Sequence, residues 1–304
     1  MNMKSLYAIW SAIILVAASL LSCEKAVFDE DNENTDNENC KLTLCVSTKS
    51  KAMDVTRSDG DYWKHLCFVV YKDGKKLKAV NQTAGTEGYG QASISLAQGT
   101  YQVLVVAHSS ANNPSVASPD KVQFTNADGY SDTFYYYSDI TVTAEPQTHY
   151  VELVRATAML RFIVKDDMPQ SVKSLKFYYT GGSGALNAKT GMGCVDSKQT
   201  VNVEVDPAAG APYIFELYTI PKEASGTLSL TVTAFDGSGT TVAEKQIKNI
   251  KIERNKITEL SGELFNGENI VDDTSSENNE DTQTEGLFVI TANTEWGGTI
   301  NATY

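Results

Sequence analysis

From Cys40 to Phe265 the sequence alternates apolar and polar residues, and Gly, Asn, Asp or Pro interrupts the alternation about every ten residues. A period of two places successive side chains on opposite faces of a strand, and almost no stretch here has the 3.6-residue period of an amphipathic helix. The pattern therefore predicts an all-β body built from short strands and turns.

The predicted strands form two series of six or seven, which favours two β-sandwiches joined near Arg155. The first series is KLTLCVS (41–47), KHLCFVVYKDG (64–74) with a turn at Asp73-Gly74, GQASISL (90–96), GTYQVLVVAH (99–108), YYYSDITVT (135–143) and HYVELV (149–154). The second series is TAMLRFIVKD (157–166), VKSLKFYYT (172–180), TVNVEV (200–205), YIFELYTI (213–220), GTLSLTVTAFDG (226–237), TVAEKQIKNIKI (241–252) and NKITELSGELF (255–265). The irregular stretch 112–132 is either a surface loop or contains a short helix, and no short internal repeat is visible.

The net charge of -13 is confined to two segments. Residues 24–39 carry seven acids and one Lys, residues 268–285 carry seven acids and no base, and residues 40–267 balance 23 acids with 23 bases. Low hydrophobicity and self-repulsion predict extended tethers on either side of a neutral body. The absence of a basic patch in the sequence argues against nucleic-acid binding.

The N-terminus has the pattern of a targeting segment. Lys4 precedes the apolar run at 8–21, and the run stops at Leu-Leu-Ser-Cys, with Ser22 just before Cys23. The run is too short for a comfortable membrane span, and its ending resembles a bacterial lipoprotein signal. We expect cleavage between Ser22 and Cys23, with acyl chains on Cys23 as the membrane anchor; the alternative is an ordinary secretory signal.

Four cysteines remain in the body: Cys40, Cys45, Cys67 and Cys194. They do not form the dense framework of a small disulfide-stabilised scaffold, and no Cys-x-x-C or zinc spacing is present. We expect buried free thiols, although Cys45 and Cys67 could pair if their strands are neighbours.

No catalytic or metal-binding constellation emerges from the sequence, and we expect no enzyme activity, cofactor or metal. The three histidines, His65, His108 and His149, are far apart along the chain and are interpreted as strand residues. The pair Asp166-Asp167 and the Asp-Gly-Asp at 59–61 are interpreted as solvated turns, since an EF-hand loop needs further ligands.

The aromatic run Phe134, Tyr135, Tyr136 and Tyr137 leaves one binding alternative open. Exposed rings could stack on sugars, which would make the protein a glycan-binding lipoprotein. In a strand, however, alternate rings point to opposite faces, so at least two of the four are expected to serve a core.

The chain ends in GLFVITANTEWGGTINATY, residues 286–304, directly after the acidic tether. Residues 287–290, Leu-Phe-Val-Ile, put apolar side chains on both faces of a strand, the pattern of a strand buried on both sides. Left exposed, such an edge would pair with any available sheet, so it needs a place in its own body or in a neighbour. A tether of 18 residues spans roughly 25 Å, enough to reach a second molecule.

This ending resembles the C-terminus of the fimbrillins, the major fimbrial subunits of oral and gut Gram-negative anaerobes that build protease-assembled (type V) pili. The shared features are a Leu-x-Val strand, a Glu-Trp pair and a closing Asn-Ala-Thr followed by an aromatic. The resemblance also covers the lipoprotein signal and four stretches of the body: LCFVVYKDGKKL (66–77), LAQGTYQVLVVAH (96–108), VELVRATAMLRFIV (151–164) and IKNIKIERNKITELSGELF (247–265).

The resemblance implies two transthyretin-like β-sandwiches and a pilus shaft subunit. It implies an outer-membrane lipoprotein precursor that an arginine-specific surface protease cuts, removing the lipid and the first strand. The groove so opened would receive the C-terminal strand of the next subunit by β-augmentation. The partners would be copies of the chain and other fimbrial subunits.

Placed on this sequence, the displaced strand carries Leu42, Leu44 and Val46 on one face, and the protease would cut between Arg57 and Ser58. Arg155 and Arg161 are poorer cleavage candidates because both lie in or beside predicted strands. The donor strand would supply six apolar side chains: Leu287, Phe288, Val289, Ile290, Trp296 and Ile300.

The predicted organisation is therefore a signal peptide (1–22), an acidic spacer (23–39), two β-sandwiches (40–155 and 156–267), an acidic linker (268–285) and a donor segment (286–304). The expected function is a fimbrial shaft subunit that supports adhesion. The alternatives are a lipid-anchored anchor or accessory subunit, and a monomeric glycan-binding surface lipoprotein whose tail folds back onto its own body.

Overall fold

The computed structural model describes residues 40–47, 63–125 and 130–266, together with the backbone of 289–291. In these residues nearly every regular element is a strand, and no α-helix occurs. The predicted all-β class with two β-sandwiches is confirmed.

Ten strands belong to the first half of the described chain. They are β1 (Cys40–Ser47), β2 (His65–Lys72), β3 (Lys75–Thr83), β4 (Gln91–Leu96), β5 (Gly99–His108), β6 (Ser115–Ser118), β7 (Lys121–Gln123), β8 (Phe134–Val142), β9 (Gln147–Glu152) and β10 (Val154–Arg155). Ten more follow: β11 (Ala158–Val164), β12 (Val172–Thr180), β13 (Ala185–Asn187), β14 (Met192–Gly193), β15 (Gln199–Glu204), β16 (Tyr213–Thr219), β17 (Ser225–Asp236), β18 (Thr241–Glu253), β19 (Ile257–Gly262) and β20 (Val289–Thr291). A short 3-10 turn spans Pro207–Ala209.

The first sandwich packs a three-stranded sheet, β4-β1-β9, against a five-stranded sheet, β10-β8-β5-β2-β3. Its core takes alternate residues from both sheets, including Leu42 from β1, Phe68 from β2 and Val105 from β5. Strand β2 is buried on both faces, because Cys67, Val69 and Tyr71 join a second cluster on the other side. This explains why its sequence is a continuous apolar run.

The second sandwich repeats the same strand order. Its sheets are β16-β11-β19-β20 and β15-β12-β17-β18. In each sandwich the first strand lies between an antiparallel neighbour, β4 or β16, and a strand late in the chain order of that sandwich, β9 or β19, which runs parallel to it. The repeat is one of topology, which explains why no repeat is visible in the residues.

A small sheet, β14-β13-β7-β6, joins the two sandwiches. Strands β6 and β7 come from the stretch 112–132, and β13 and β14 from the connection after β12. Leu186 of β13 pairs with Val122 of β7, and both are fully buried against the outer face of the five-stranded sheet. In its described residues, 112–125 and 130–132, this stretch contributes short strands and no helix.

The sequence did not reveal β3, for a physical reason. Seven of its nine residues are exposed, so it carries no apolar alternation. It pairs only with β2 and forms an edge of its sheet. The predicted turn before it is present: Asp73 and Gly74 have φ of 52° and 74°, as a two-residue type I′ hairpin requires.

Candidate functional site

Strand β1 occupies the centre of the three-stranded sheet. It runs antiparallel to β4, from Cys40 opposite Leu96 to Cys45 opposite Gln91. It runs parallel to β9, with Leu42 opposite Gln147. Since neighbouring strands lie about 4.8 Å apart, the space between β4 and β9 holds one strand and exposes two rows of backbone hydrogen-bonding groups if that strand leaves.

The inward face of β1 completes the core of the first sandwich. Leu42 and Leu44 have no exposed surface, Cys40 is buried, and Val46 packs partly buried against the same cluster. Burying each large apolar side chain contributes about 1.5 to 3 kcal/mol. A strand that replaced β1 would therefore need apolar residues at alternate positions.

Only the segment after Ser47 connects β1 to the rest of the sandwich, since β2 begins at His65. Arg57 and Ser58 fall in this connection and lie outside the described residues. A cut anywhere within it leaves β1 attached by hydrogen bonds and packing alone. Ser22 and Cys23 also lie outside the described residues.

At the opposite end of the described chain, β20 pairs antiparallel with β19 of the same molecule, with Leu260 opposite Ile290. The donor candidates Val289 and Ile290 thus have a backbone position at the edge of the second sandwich. Leu287, Phe288, Trp296 and Ile300 lie outside the described residues. Their role as a donor stays a prediction.

Asp166 holds the chain just before the acidic linker, and its interpretation as a solvated turn was wrong. Its side chain is 6% exposed and accepts hydrogen bonds from the backbone N–H groups of Leu264, Phe265 and Asn266. Asp167 is exposed. The Asp-Gly-Asp at 59–61 lies outside the described residues. The sequence signal for Asp166 was weak because its partners are about a hundred residues away.

The histidines lie on strands, and two of them meet. His65 of β2 and His108 of β5 are paired across the sheet with ring centroids 5.2 Å apart. His108 is fully buried, and its Nε2 lies 3.1 Å from Asn113 Oδ1. Burial lowers the pKa of His108 to about 4, so the ring is neutral near pH 7. His149 lies on β9 in another sheet.

The described residues contain no group of three or more His, Cys, Asp or Glu side chains that could hold a metal ion. All four body cysteines are free. Cys45 and Cys67 belong to different sheets. Cys40 and Cys67 are buried, and burial raises the pKa of Cys67 to about 11. Cys45 is half-buried and Cys194 is exposed, so the expectation of buried thiols holds for Cys40 and Cys67 and was wrong for Cys194.

The aromatic run on β8 alternates between two clusters. Phe134 and Tyr136 pack against the core of the first sandwich, while Tyr135 and Tyr137 pack against the cluster under the small sheet. All four rings thus contact a cluster, with Tyr135 buried and the other three half-buried.

The two strand arginines are engaged in ion pairs. Arg155 Nε lies 2.9 Å from Asp132 Oδ1, and Arg161 Nη2 lies 2.9 Å from Glu216 Oε1. Both side chains are about one-fifth exposed, at 17% and 22%. Neither arginine therefore offers a protease the accessible side chain that cleavage after it would need.

The geometry defines an all-β protein of two sandwiches with the same strand order. In the first sandwich, β1 is the central strand of its sheet and is joined to β2 by one connection. The chain belongs to the family of unknown function DUF6562, which matches residues 33–285. A search of the curated proteins found no significant match. Among the described residues no helix is long and apolar enough to cross a membrane.

A search of the solved structures found chains to which this one is similar at low identity. A candidate adhesin from Bacteroides ovatus ATCC 8483 is 13% identical, with 73% of this chain and 88% of that chain covered and a TM-score of 0.49. A candidate polysaccharide-binding protein (DUF1812) from Bacteroides thetaiotaomicron VPI-5482 is 15% identical, with 87% and 99% covered and a TM-score of 0.48. The fimbrial anchor protein Mfa2 from Porphyromonas gingivalis is 14% identical, with 88% and 100% covered and a TM-score of 0.46.

Proposed function

We propose that this protein is a structural subunit of a surface fimbria that polymerises by strand exchange after its first strand is removed. The observation that carries the proposal is the position of β1, which fills the centre of a sheet and is joined to the sandwich by a single connection containing Arg57. A cut between Arg57 and Ser58, followed by the release of β1, would convert a complete sheet into an acceptor groove. The role is structural and needs no catalytic group or cofactor.

The groove and the C-terminal segment are complementary in pattern. The groove needs apolar side chains at alternate positions to replace Leu42 and Leu44. Residues 287–290 are apolar at four successive positions, so either register places two of them toward the core. Backbone hydrogen bonds to β4 and β9 would supply affinity, and the inward side chains would supply specificity.

The placement of acceptor and donor determines the form of the assembly. The groove is in the first sandwich and the donor follows the second, so the contact joins two different surfaces. Such a heterologous contact propagates as a filament when it does not close into a ring. While β1 stays covalently attached, its high effective concentration excludes an incoming strand and keeps the subunit monomeric.

The proposal includes the route to the surface. Acyl chains on Cys23 would hold the precursor in the outer membrane. The cut at Arg57 would separate the subunit from an N-terminal fragment that carries both the lipid and β1. The partners would be copies of the chain, other fimbrial subunits and an arginine-specific surface protease.

One observation favours a second candidate, an anchor or a monomeric surface lipoprotein. The backbone of Val289–Thr291 lies on β19 of its own molecule, which is where a tail that folds back would end. An anchor would keep its lipid and its first strand.

The experiment treats purified full-length protein with an arginine-specific protease and compares it with a chain ending at Glu285 and with an Arg57→Lys variant. We expect filaments or ladders, measured by electron microscopy and native electrophoresis, only from the cleaved chain that has both Arg57 and the tail. Cleaved full-length protein that stays monomeric would instead favour the second candidate.

A further inference from the structure

Three lysines lie on one side of the β2–β3 hairpin, and we call Lys72, Lys75 and Lys78 the lysine strip. Lys72 and Lys75 are directly opposite each other across the hairpin. Lys78 is opposite Val70, whose side chain belongs to the core of the first sandwich. Residues opposite each other in a hairpin share a face, so all three lysines are on the side that faces the sheet containing β1.

The lysine strip lies at one end of the acceptor groove. Lys78 Nζ donates to the carbonyl oxygen of Ser95 on β4 at 3.3 Å, next to the Leu96 that pairs with Cys40. Lys72 Nζ lies 5.4 Å from the centre of the Tyr101 ring, and the Tyr101 hydroxyl donates to the carbonyl oxygen of Ala97, just after β4. These contacts place the strip where β1 begins.

The charges of the strip are not balanced locally. None of the three lysines forms a salt bridge with a carboxylate among the described residues. Asp73, in the turn between them, is the one acid in residues 72–78. Like charges directly opposite each other across two strands are destabilising, so the pair Lys72 and Lys75 costs the hairpin stability.

We propose that the lysine strip captures the acidic linker, residues 268–285, of a second copy of this chain while the donor strand of that copy enters the groove. This inference rests on the proposed function. The linker carries seven acids and no base and immediately precedes the donor segment. A donor that enters in the direction of β1, parallel to β9, has its N-terminal end beside Leu96 and therefore delivers its linker to the strip.

The opposite direction of entry would deliver the linker away from the lysine strip. The linker would then leave at the other end of β1, where Ser47 is opposite Glu152. The strip thus selects the parallel orientation as well as the partner. Electrostatic attraction of this kind raises association rates by about tenfold or more at low salt and weakens as salt shortens the screening length.

The test uses full-length protein cleaved at Arg57, freed of the released fragment and kept dilute enough to remain monomeric. Fluorescently labelled peptides are added: residues 268–304, the same peptide with the seven linker acids replaced by their amides, and residues 286–304. Association rates are followed by stopped-flow anisotropy at about 10 mM and about 150 mM salt, where the screening length is about 30 Å and about 8 Å.

Two double variants of the protein distinguish the effect of the lysine strip on the association rate from the effect of the protein's net charge. Lys75→Gln/Lys78→Gln removes two charges from the strip. Lys173→Gln/Lys251→Gln removes two charges from exposed strand positions of the second sandwich and is matched, since Lys173 also bonds a backbone carbonyl and Lys251 also lies on an edge strand. We expect the acidic linker to speed association about tenfold at low salt, and this gain to vanish only in Lys75→Gln/Lys78→Gln.

The remaining outcomes overturn the inference in distinguishable ways. Equal rates for all three peptides would leave the groove intact and show that the lysines only protect an edge strand from pairing. A gain lost equally in both double variants would assign it to net charge. Binding of none of the peptides would overturn the proposed function together with the role of the strip.

Discussion

The carboxylate of Asp166 accepts a hydrogen bond of 2.9 Å from the backbone N–H of Leu264, which ties the end of β11 to the segment that follows β19. The same carboxylate accepts from the N–H groups of Phe265 and Asn266, at 2.6 and 2.9 Å. The chain is thus held at the point from which the acidic linker departs.

Replacing this carboxylate is expected to destabilise the second sandwich. Asp166→Asn puts an amide where three N–H donors converge, and hydrogen bonds to a charged group contribute about 1.5 to 3 kcal/mol each. We expect a loss of about 3 kcal/mol in the free energy of unfolding, measured by urea denaturation. Asp167→Asn, at the exposed neighbour, is the control and should change stability by less than about 0.5 kcal/mol.

Acid is expected to destabilise the fold through His108. Burial is the largest cause that lowers its pKa from 6.5 to about 4, with the nearby His65 acting in the same direction. The unfolded chain therefore binds a proton between pH 6.5 and 4 that the folded chain does not, so stability is full above pH 6.5 and falls as pH drops toward 4. The slope approaches about 1.4 kcal/mol per pH unit.

The measurement is the free energy of unfolding at several pH values from 7 to 4. His108→Gln should flatten the slope, whereas His149→Gln, at a half-buried histidine of β9, should retain it. An unchanged slope in His108→Gln would assign the acid sensitivity to other groups.

The hold of β1 on its groove after cleavage is expected to depend on its inward side chains. Leu44→Ala removes a fully buried side chain from the core and should weaken the attachment by about 3 kcal/mol. Cleaved Leu44→Ala should therefore release its N-terminal fragment at least tenfold faster than the cleaved parent, measured by size-exclusion chromatography over time. Lys41→Ala, at an exposed position of the same strand, should release at the parent rate.

Gly191 is expected to accept no larger residue. A Cβ at this position would overlap the Tyr135 hydroxyl and lie near Arg254 Nη1, which bonds both Tyr135 and the Gly191 carbonyl. Its φ of 73° adds backbone strain. Gly191→Ala should cost about 2 to 4 kcal/mol, measured by thermal unfolding.

The matched control for that substitution is Gly210→Ala, whose φ is 78° but whose Cβ would meet nothing within 4 Å. It carries the backbone strain without the overlap. Equal losses in the two variants would show that strain alone sets the cost.

The sequence by itself determined the strand content and the neutral body between two acidic segments, because period-two alternation and charge are local properties. The strands from Gly99 to His108 and from Val172 to Thr180 lie at their predicted positions. Local patterns did not predict strands of two kinds. β3 is an exposed edge strand without apolar alternation, and β6, β7, β13 and β14 are too short to show a period.

Only the tertiary structure decided which strand lies beside which, because pairing depends on contacts between residues far apart in sequence. It placed β1 between β4 and β9, parallel to the latter, so that the loss of β1 would leave a gap that a like strand could fill. It also showed that Asp166 is a buried hydrogen-bond acceptor and not part of a solvated turn. It placed Lys78 of β3, a strand that the sequence did not reveal, beside the position where β1 begins. The apolar C-terminal segment was visible in the sequence, but the acceptor geometry is a property of the folded sheet.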